Sequence, residues 1–246
     1  MPTLPVTPTE IAIAIALAVV GSFIQGSIGF GLAVVSAPVL LLVNEVFVPG
    51  PILLAAMLLV MLIAVREWED VIFRDVGLAT VGRIIGTMPA AYAVHTLPRS
   101  AYELLFGSLV MIGVFLSALG WHIPPTTRNV ILAAILSGFT GTVSSVGGPP
   151  MALVYQNESG PRIRATLSAI FTFGTIVSLF GLWLAGRFGV VELILGVLLM
   201  PGILVGFALS RYATGWIDQA RTRPAVLLIS ALSALIILLR SLSAYL

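Results

Sequence analysis

The 246-residue sequence contains no cysteine and no lysine, only two histidines, and few charges of either sign: 12 basic residues, all arginine, and 10 acidic ones. Each absence removes a class of function. Without cysteine there is no disulfide, no thiolate nucleophile and no thiolate-bound metal. Histidine and the acids never cluster in the pattern a metal centre needs, so no metal and no cofactor is expected. Serine-protease chemistry inside a membrane would need a serine and a histidine together at depth, yet His95 and His122 both fall near the ends of apolar runs. The sequence therefore does not read as an enzyme. The arginines are scattered between apolar runs rather than gathered into a patch, which excludes a nucleic-acid partner. The opening residues MPTLPVTPTE carry no positive stretch ahead of the first apolar run, so a cleaved signal peptide is not expected.

What fills the chain instead is apolar surface. Hydrophobic residues make up 59% and charged residues 9%, and the mean hydropathy is +1.13. A soluble domain carries roughly a quarter charged residues, and this composition cannot coat a surface of the necessary size against water. The surrounding medium is lipid. Apolar runs extend from Ile11 to Val43, Pro51 to Val65, Val71 to Val94, Ala101 to Trp121, Val130 to Tyr155, Ala165 to Ala185, Val190 to Leu209 and Ala225 to Leu239. Lipid satisfies no backbone hydrogen bonds, and the period-two alternation of a barrel is missing, so the runs predict helices. The expected fold is all-α: a polytopic membrane protein of about eight to ten spanning or half-spanning helices.

Two runs are anomalous. Ile11 to Val43 is too long for one span and is broken by Gly26, Gly29 and Gly31; Val130 to Tyr155 is broken by Gly147, Gly148, Pro149 and Pro150. A shift of 116 lays Phe23 on Phe139, Gln25 on Gly141 and Gly31 on Gly147, and a shift of 120 lays Gly82 and Gly86 on Gly202 and Gly206. The pattern predicts a duplication, with residues 1–122 as one repeat and 123–246 as the other. If each broken run folds back on itself, as a re-entrant hairpin or as two short spans, three spans follow in each half. Arg66, Arg74, Arg128, Arg162, Arg164, Arg211, Arg221 and Arg223 then fall on one side of the membrane, and Arg99, Arg187 and Arg240 on the other. By the positive-inside rule both termini lie outside and the second repeat is inverted relative to the first. Inverted repeats with glycine- and proline-interrupted segments are the pattern of secondary transporters.

The breaks are also where chemistry is expected. A second half-helix begins after each, and the first amides of a helix have no intrahelical partner and carry partial positive charge. The candidate substrate-binding residues are Gln25, Gly26, Ser27, Gly29 and Gly31 in the first break, and Ser144, Ser145, Gly147, Gly148, Pro149 and Pro150 in the second. Taken singly, each glycine is explained as well by close helix packing; matched clusters that split otherwise uniform runs point to a site. Arg83 joins the list because it lies nine residues beyond Arg74 in an apolar run, roughly 13 Å deeper along a helix. A charge at that depth faces a cavity or a partner, unless it snorkels to the nearer surface. Glu103 and Glu192 sit near span ends and are expected to anchor there or pair with Arg99 and Arg187. Trp68, Trp121, Trp183 and Trp216 fit an aromatic belt.

At its two breaks the sequence resembles the sulfite exporter family named TauE/SafE, also called the toluene sulfonate uptake permeases. The resemblance rests on Gly21, Gln25-Gly26 and Gly29-Phe30-Gly31 with Pro38 in the first half, and Gly138 with Gly147-Gly148-Pro149-Pro150 in the second. It implies a multi-pass protein of the bacterial inner membrane whose partner is a small sulfur oxyanion or organosulfonate, with export as the usual direction. An anion channel, an organosulfonate importer and a membrane scaffold without transport remain as alternatives. Neither the coupling ion nor the oligomeric state is legible.

Overall fold

The computed structural model describes residues 4–119, 123–213 and 219–243, and among them the regular structure is helical throughout. The long helices and half-helices are α1 (Pro8–Ile28), α2 (Leu32–Val43), α3 (Gly50–Arg66), α4 (Phe73–Thr96), α5 (Arg99–Leu119), α6 (Thr127–Ser144), α7 (Gly148–Tyr155), α8 (Gly160–Leu184), α9 (Val190–Ala213) and α10 (Gln219–Ser243). The chain is a polytopic membrane protein. Its largest outward-facing side chains include Val65, Met88, Phe115, Phe180, Leu184 and Leu239, which lipid covers as water could not. Trp68 and Trp183 are exposed near span ends. Trp121, His122, Trp216, Arg221 and Arg223 lie outside the residues whose side chains are described.

Local chemistry sets the helix ends. Thr7 and Glu10 form a capping box: the Glu10 amide donates to Thr7 Oγ1 at 3.2 Å and the Thr7 amide to Glu10 Oε2 at 2.6 Å. That satisfies two amides at the start of α1. Asn44, just beyond α2, donates its side-chain amide to Pro5 O at 3.1 Å and to Glu10 Oε1 at 3.4 Å. Both ends of the first broken run therefore lie together, and the run is a hairpin. Its return arm α2 has 12 residues, about 18 Å of helix against a hydrocarbon core of about 30 Å. The second hairpin returns through α7, only eight residues long. Both return arms are shorter than the roughly 20 residues that cross a hydrocarbon core.

Side-chain contacts define two faces of the bundle. On one, Arg66, Glu67 and Arg164 pair, and Arg74 reaches Thr127. On the other, Arg99 pairs with Glu45 and Glu103, Arg187 donates to Val94 O, and His95 Nδ1 bonds Ala185 O. The first is the arginine-rich face. Glu103 thus pairs with Arg99, whereas Glu192 accepts from the Gly189 amide at 2.8 Å and caps the start of α9.

The helices pack through glycine. A Cβ on Gly82 of α4 would lie 2.7 Å from Ile131 O of α6, and one on Gly202 of α9 would lie 2.7 Å from Ile15 O of α1. One turn on, Gly86 abuts Ile135 O and Gly206 abuts Val19 O. These are backbone-to-backbone contacts with no side chain able to yield. Gly86→Ala is accordingly expected to destabilise the protein by about 3 kcal/mol or prevent folding, whereas Gly77→Ala on the same helix, where nothing lies within 4 Å, leaves the melting temperature in detergent unchanged or slightly higher.

Candidate anion site

The first break is shaped by two glycines in the left-handed region, Gly29 at φ 105° and Gly31 at φ 141°. Side-chain-bearing residues reach that region only at a cost, so α1 ends cleanly there and α2 restarts beside it. Gln25, in the last turn of α1, turns its Oε1 to accept the amide of Leu32 at 3.0 Å. The amides of Ala33 and Val34 have no intrahelical acceptor, the ladder beginning with Val35 N–H to Gly31 O. In the second break, Ser145 takes φ 65° and its hydroxyl donates to Pro49 O at 3.2 Å. Pro149 and Pro150 occupy the first turn of α7 and carry no amide hydrogen, which leaves Gly147 and Gly148 as donors at that start. Both broken helices thus present few amides, and the residues that carry them, Ala33, Val34, Gly147 and Gly148, line one place.

That place is a cavity of about 50 Å³ lined by residues of both breaks, among them Gln25, Gly31, Val34, Ser145, Gly147 and Gly148, together with Arg83, Phe171 and Thr175. A water occupies roughly 10–15 Å³ on this measure, so the space suits a small ion. Among the described residues, no acidic one lines it.

Arg83 is 2% exposed, which places its guanidinium inside the bundle instead of at the membrane surface. Its Nη1 donates to Ser137 Oγ at 2.7 Å, and the Ser137 hydroxyl donates in turn to Gly147 O at 2.6 Å. The arginine is thereby tied to the second break. The guanidinium carbon sits 5.5 Å from the centre of the Phe171 ring, a cation–π distance. Its Nε is buried without a hydrogen-bond partner among the described residues. Four glycines make the room. A Cβ on Gly174 of α8 would fall on Arg83 Nε itself; on Gly138 it would meet Arg83 O at 2.6 Å, on Gly147 Nη1 at 3.2 Å and on Gly141 Nη2 at 3.3 Å.

The expected site residues divide. Gln25, Gly31, Arg83, Ser145, Gly147 and Gly148 line the cavity. Gly26 packs on Ser210 and offers its carbonyl to Arg66 at 3.1 Å; Gly29 lies against Arg164; Ser27 and Ser144 return their hydroxyls to Phe23 O and Thr140 O within their own helices. Pro149 faces a second cavity, beneath α7, and Pro150 is buried. Sequence reasoning passed over Ser137, Phe171, Gly174 and Thr175. Ser137 opens the second broken segment, one residue before Gly138, and that position was the available signal; the three α8 residues lie at a spacing of three and one in an ordinary span and carried none.

Fold and cavity together describe a multi-pass membrane protein, all-helical among the described residues, whose two glycine-broken hairpins line one cavity with a buried arginine. The model of the sulfite exporter TauE/SafE family matches residues 13–237, nearly the whole chain. The chain belongs to that family, and membership implies a membrane transporter of sulfur anions. No curated protein and no solved structure matches it.

Proposed function

We propose that the protein is a secondary transporter that exports sulfite or a small sulfonate across the bacterial inner membrane, with the anion bound at Arg83 between the two breaks. One observation carries the reading: a guanidinium buried among helices that, among the described residues, has no carboxylate beside it and one N–H unpaired. A charge in the membrane interior costs at least about 2.5 kcal/mol on insertion scales, and burying one without a counter-charge is worse still. An anion that arrives, binds and leaves supplies the missing partner. The oxygens of a sulfur oxyanion suit the fork of an arginine, and the amides of Ala33, Val34, Gly147 and Gly148 add neutral donors.

Residues 1–122 and 123–246 form two inverted repeats on this reading. Support comes from the reciprocal contacts of α4 on α6 and α9 on α1: the residues met by Gly82 and Gly86, Ile131 and Ile135, are those met by Gly202 and Gly206, Ile15 and Val19, displaced by 116 positions in each case. The arginine-rich face is then cytoplasmic and both termini periplasmic. Since the chain has no cysteine, single cysteines at Thr3 and Ala244 report their side directly. Labelling of both by a membrane-impermeant reagent added to intact spheroplasts is the expected outcome, and protection of either contradicts the inverted arrangement.

The transport reading is tested by flux in proteoliposomes against a panel of sulfite, sulfate, taurine and benzenesulfonate, with and without an imposed proton gradient. Saturable sulfite or sulfonate movement is expected; a protein that moves none of the panel in either direction is not this transporter.

A further inference from the structure

Two larger cavities flank the central one. On the arginine-rich side a vestibule of about 320 Å³ is lined by Ile28, Pro149, Gln156, Glu158 and Ile163. On the opposite side a vestibule of about 470 Å³ is lined by Pro49, Arg99, Tyr102 and Arg187. The central cavity shares one lining residue with the first vestibule, Phe30, and none with the second.

Phe30 is unusual in its mounting. It is the one residue with a side chain between Gly29 and Gly31, both in the left-handed region, at the tip of the first hairpin. Its ring and Cβ rest against the backbone of Gly148, where an added Cβ would meet Phe30 Cβ at 3.3 Å and Cδ2 at 3.5 Å. Gly148 is the first residue of α7, so the ring lies across the seam between the two breaks. A bulky apolar plug carried by two adjacent glycines turns with small backbone changes, because glycine alone moves freely through the φ range that such a turn crosses. Toward the opposite vestibule the packing is polar: the side-chain hydroxyl of Tyr102 donates to Val143 O at 2.9 Å, and that of Ser145 to Pro49 O.

We infer that Phe30 is the gate between the central cavity and the arginine-rich vestibule, and that its ring determines which anions pass that way. This rests on the transport reading for its purpose but not for its test. A ring at this point obstructs passage by filling the aperture; turning it aside joins the two spaces. An anion with an organic substituent needs the ring displaced further than a bare oxyanion does, so Phe30 discriminates by size where Arg83 discriminates by charge.

The absence of native cysteine allows the gate to be probed by thiol accessibility without any substrate. Thr175→Cys places a thiol in the central cavity and Gln156→Cys places one in the vestibule. Both are labelled in proteoliposomes with the anionic reagent methanethiosulfonate ethylsulfonate, applied from each side in turn. Gln156→Cys identifies the vestibule side. From that side Phe30→Ala is expected to raise the labelling rate of Thr175→Cys tenfold or more, and Phe30→Trp to lower it, with the rate at Gln156→Cys unchanged. A rate at Thr175→Cys within twofold of the parent, or one that rises equally at both thiols, overturns the gate. Should Phe30→Ala fail to purify, Phe30→Leu is read in the same way, a threefold rise at Thr175→Cys alone being the supporting result. A labelling rate at Thr175→Cys that does not respond to Phe30 in a protein that moves sulfite refutes this inference alone, and the expected response in a protein that moves no sulfur anion refutes only the transport reading.

Discussion

Arg83→Ala is expected to lower sulfite flux by at least a hundredfold while the protein still inserts, purifies and melts no lower than the parent. The two halves of that expectation come from the same geometry. Each charge-assisted hydrogen bond to a bound oxyanion is worth about 1.5–3 kcal/mol, and a factor of ten corresponds to about 1.4 kcal/mol; loss of two such bonds gives the hundredfold. Stability moves the other way, because the charge is expensive to insert and its removal relieves a buried Nε with no partner. Ser137 keeps its bond to Gly147 O, so the second break holds its shape. Arg83→Lys restores the charge but not the planar fork, and an ammonium on a flexible stem cannot span Ser137 and the ligand together. Its flux should stay at least tenfold below the parent. Normal transport by Arg83→Ala would place the anion elsewhere.

The arginine's depth was legible from counting along one helix, and so were the two breaks, because both are properties of contiguous sequence. The spacing of four from Gly82 to Gly86 and from Gly202 to Gly206 marked one face on each helix, but not the helix that each face meets. What the sequence withheld was rotation. Which face of α8 turns toward Arg83 depends on how three helices wind around one another, and nothing local distinguishes Gly174 from Gly181, which packs on Thr87 Cγ2 at 2.8 Å. The same limit explains the division within the breaks. Ser27 and Ser144 read as free donors, but in a membrane helix a hydroxyl finds the carbonyl one turn back before it finds a ligand, and both do so at 2.8 Å. Gln25 read as a ligand and lines the cavity, yet its carbonyl oxygen already holds the Leu32 amide.

Gly174 supplies the second large effect. Its Cα lies so close to the guanidinium that any Cβ must displace Nε and Cδ of Arg83, and the other end of the guanidinium is already close-packed, Nη1 lying 3.2 Å from a would-be Cβ on Gly147 and Nη2 3.3 Å from one on Gly141. Gly174→Ala should therefore push the guanidinium off Ser137 and lower flux by tenfold or more; Gly174→Val should approach the loss seen for Arg83→Ala. A stability effect of about 1–3 kcal/mol is expected from the overpacking itself. The diagnostic is the double-mutant cycle. In an Arg83→Ala background the space at Gly174 is vacant, so Gly174→Ala should cost almost nothing further in stability or flux, and the two changes together should be no worse than Arg83→Ala alone. Additive losses would mean that Gly174 matters for the packing of α8 on its neighbours and not for the arginine. Gly77→Ala, on the same helix as Arg83 but facing open space, is the control that should leave flux unaltered.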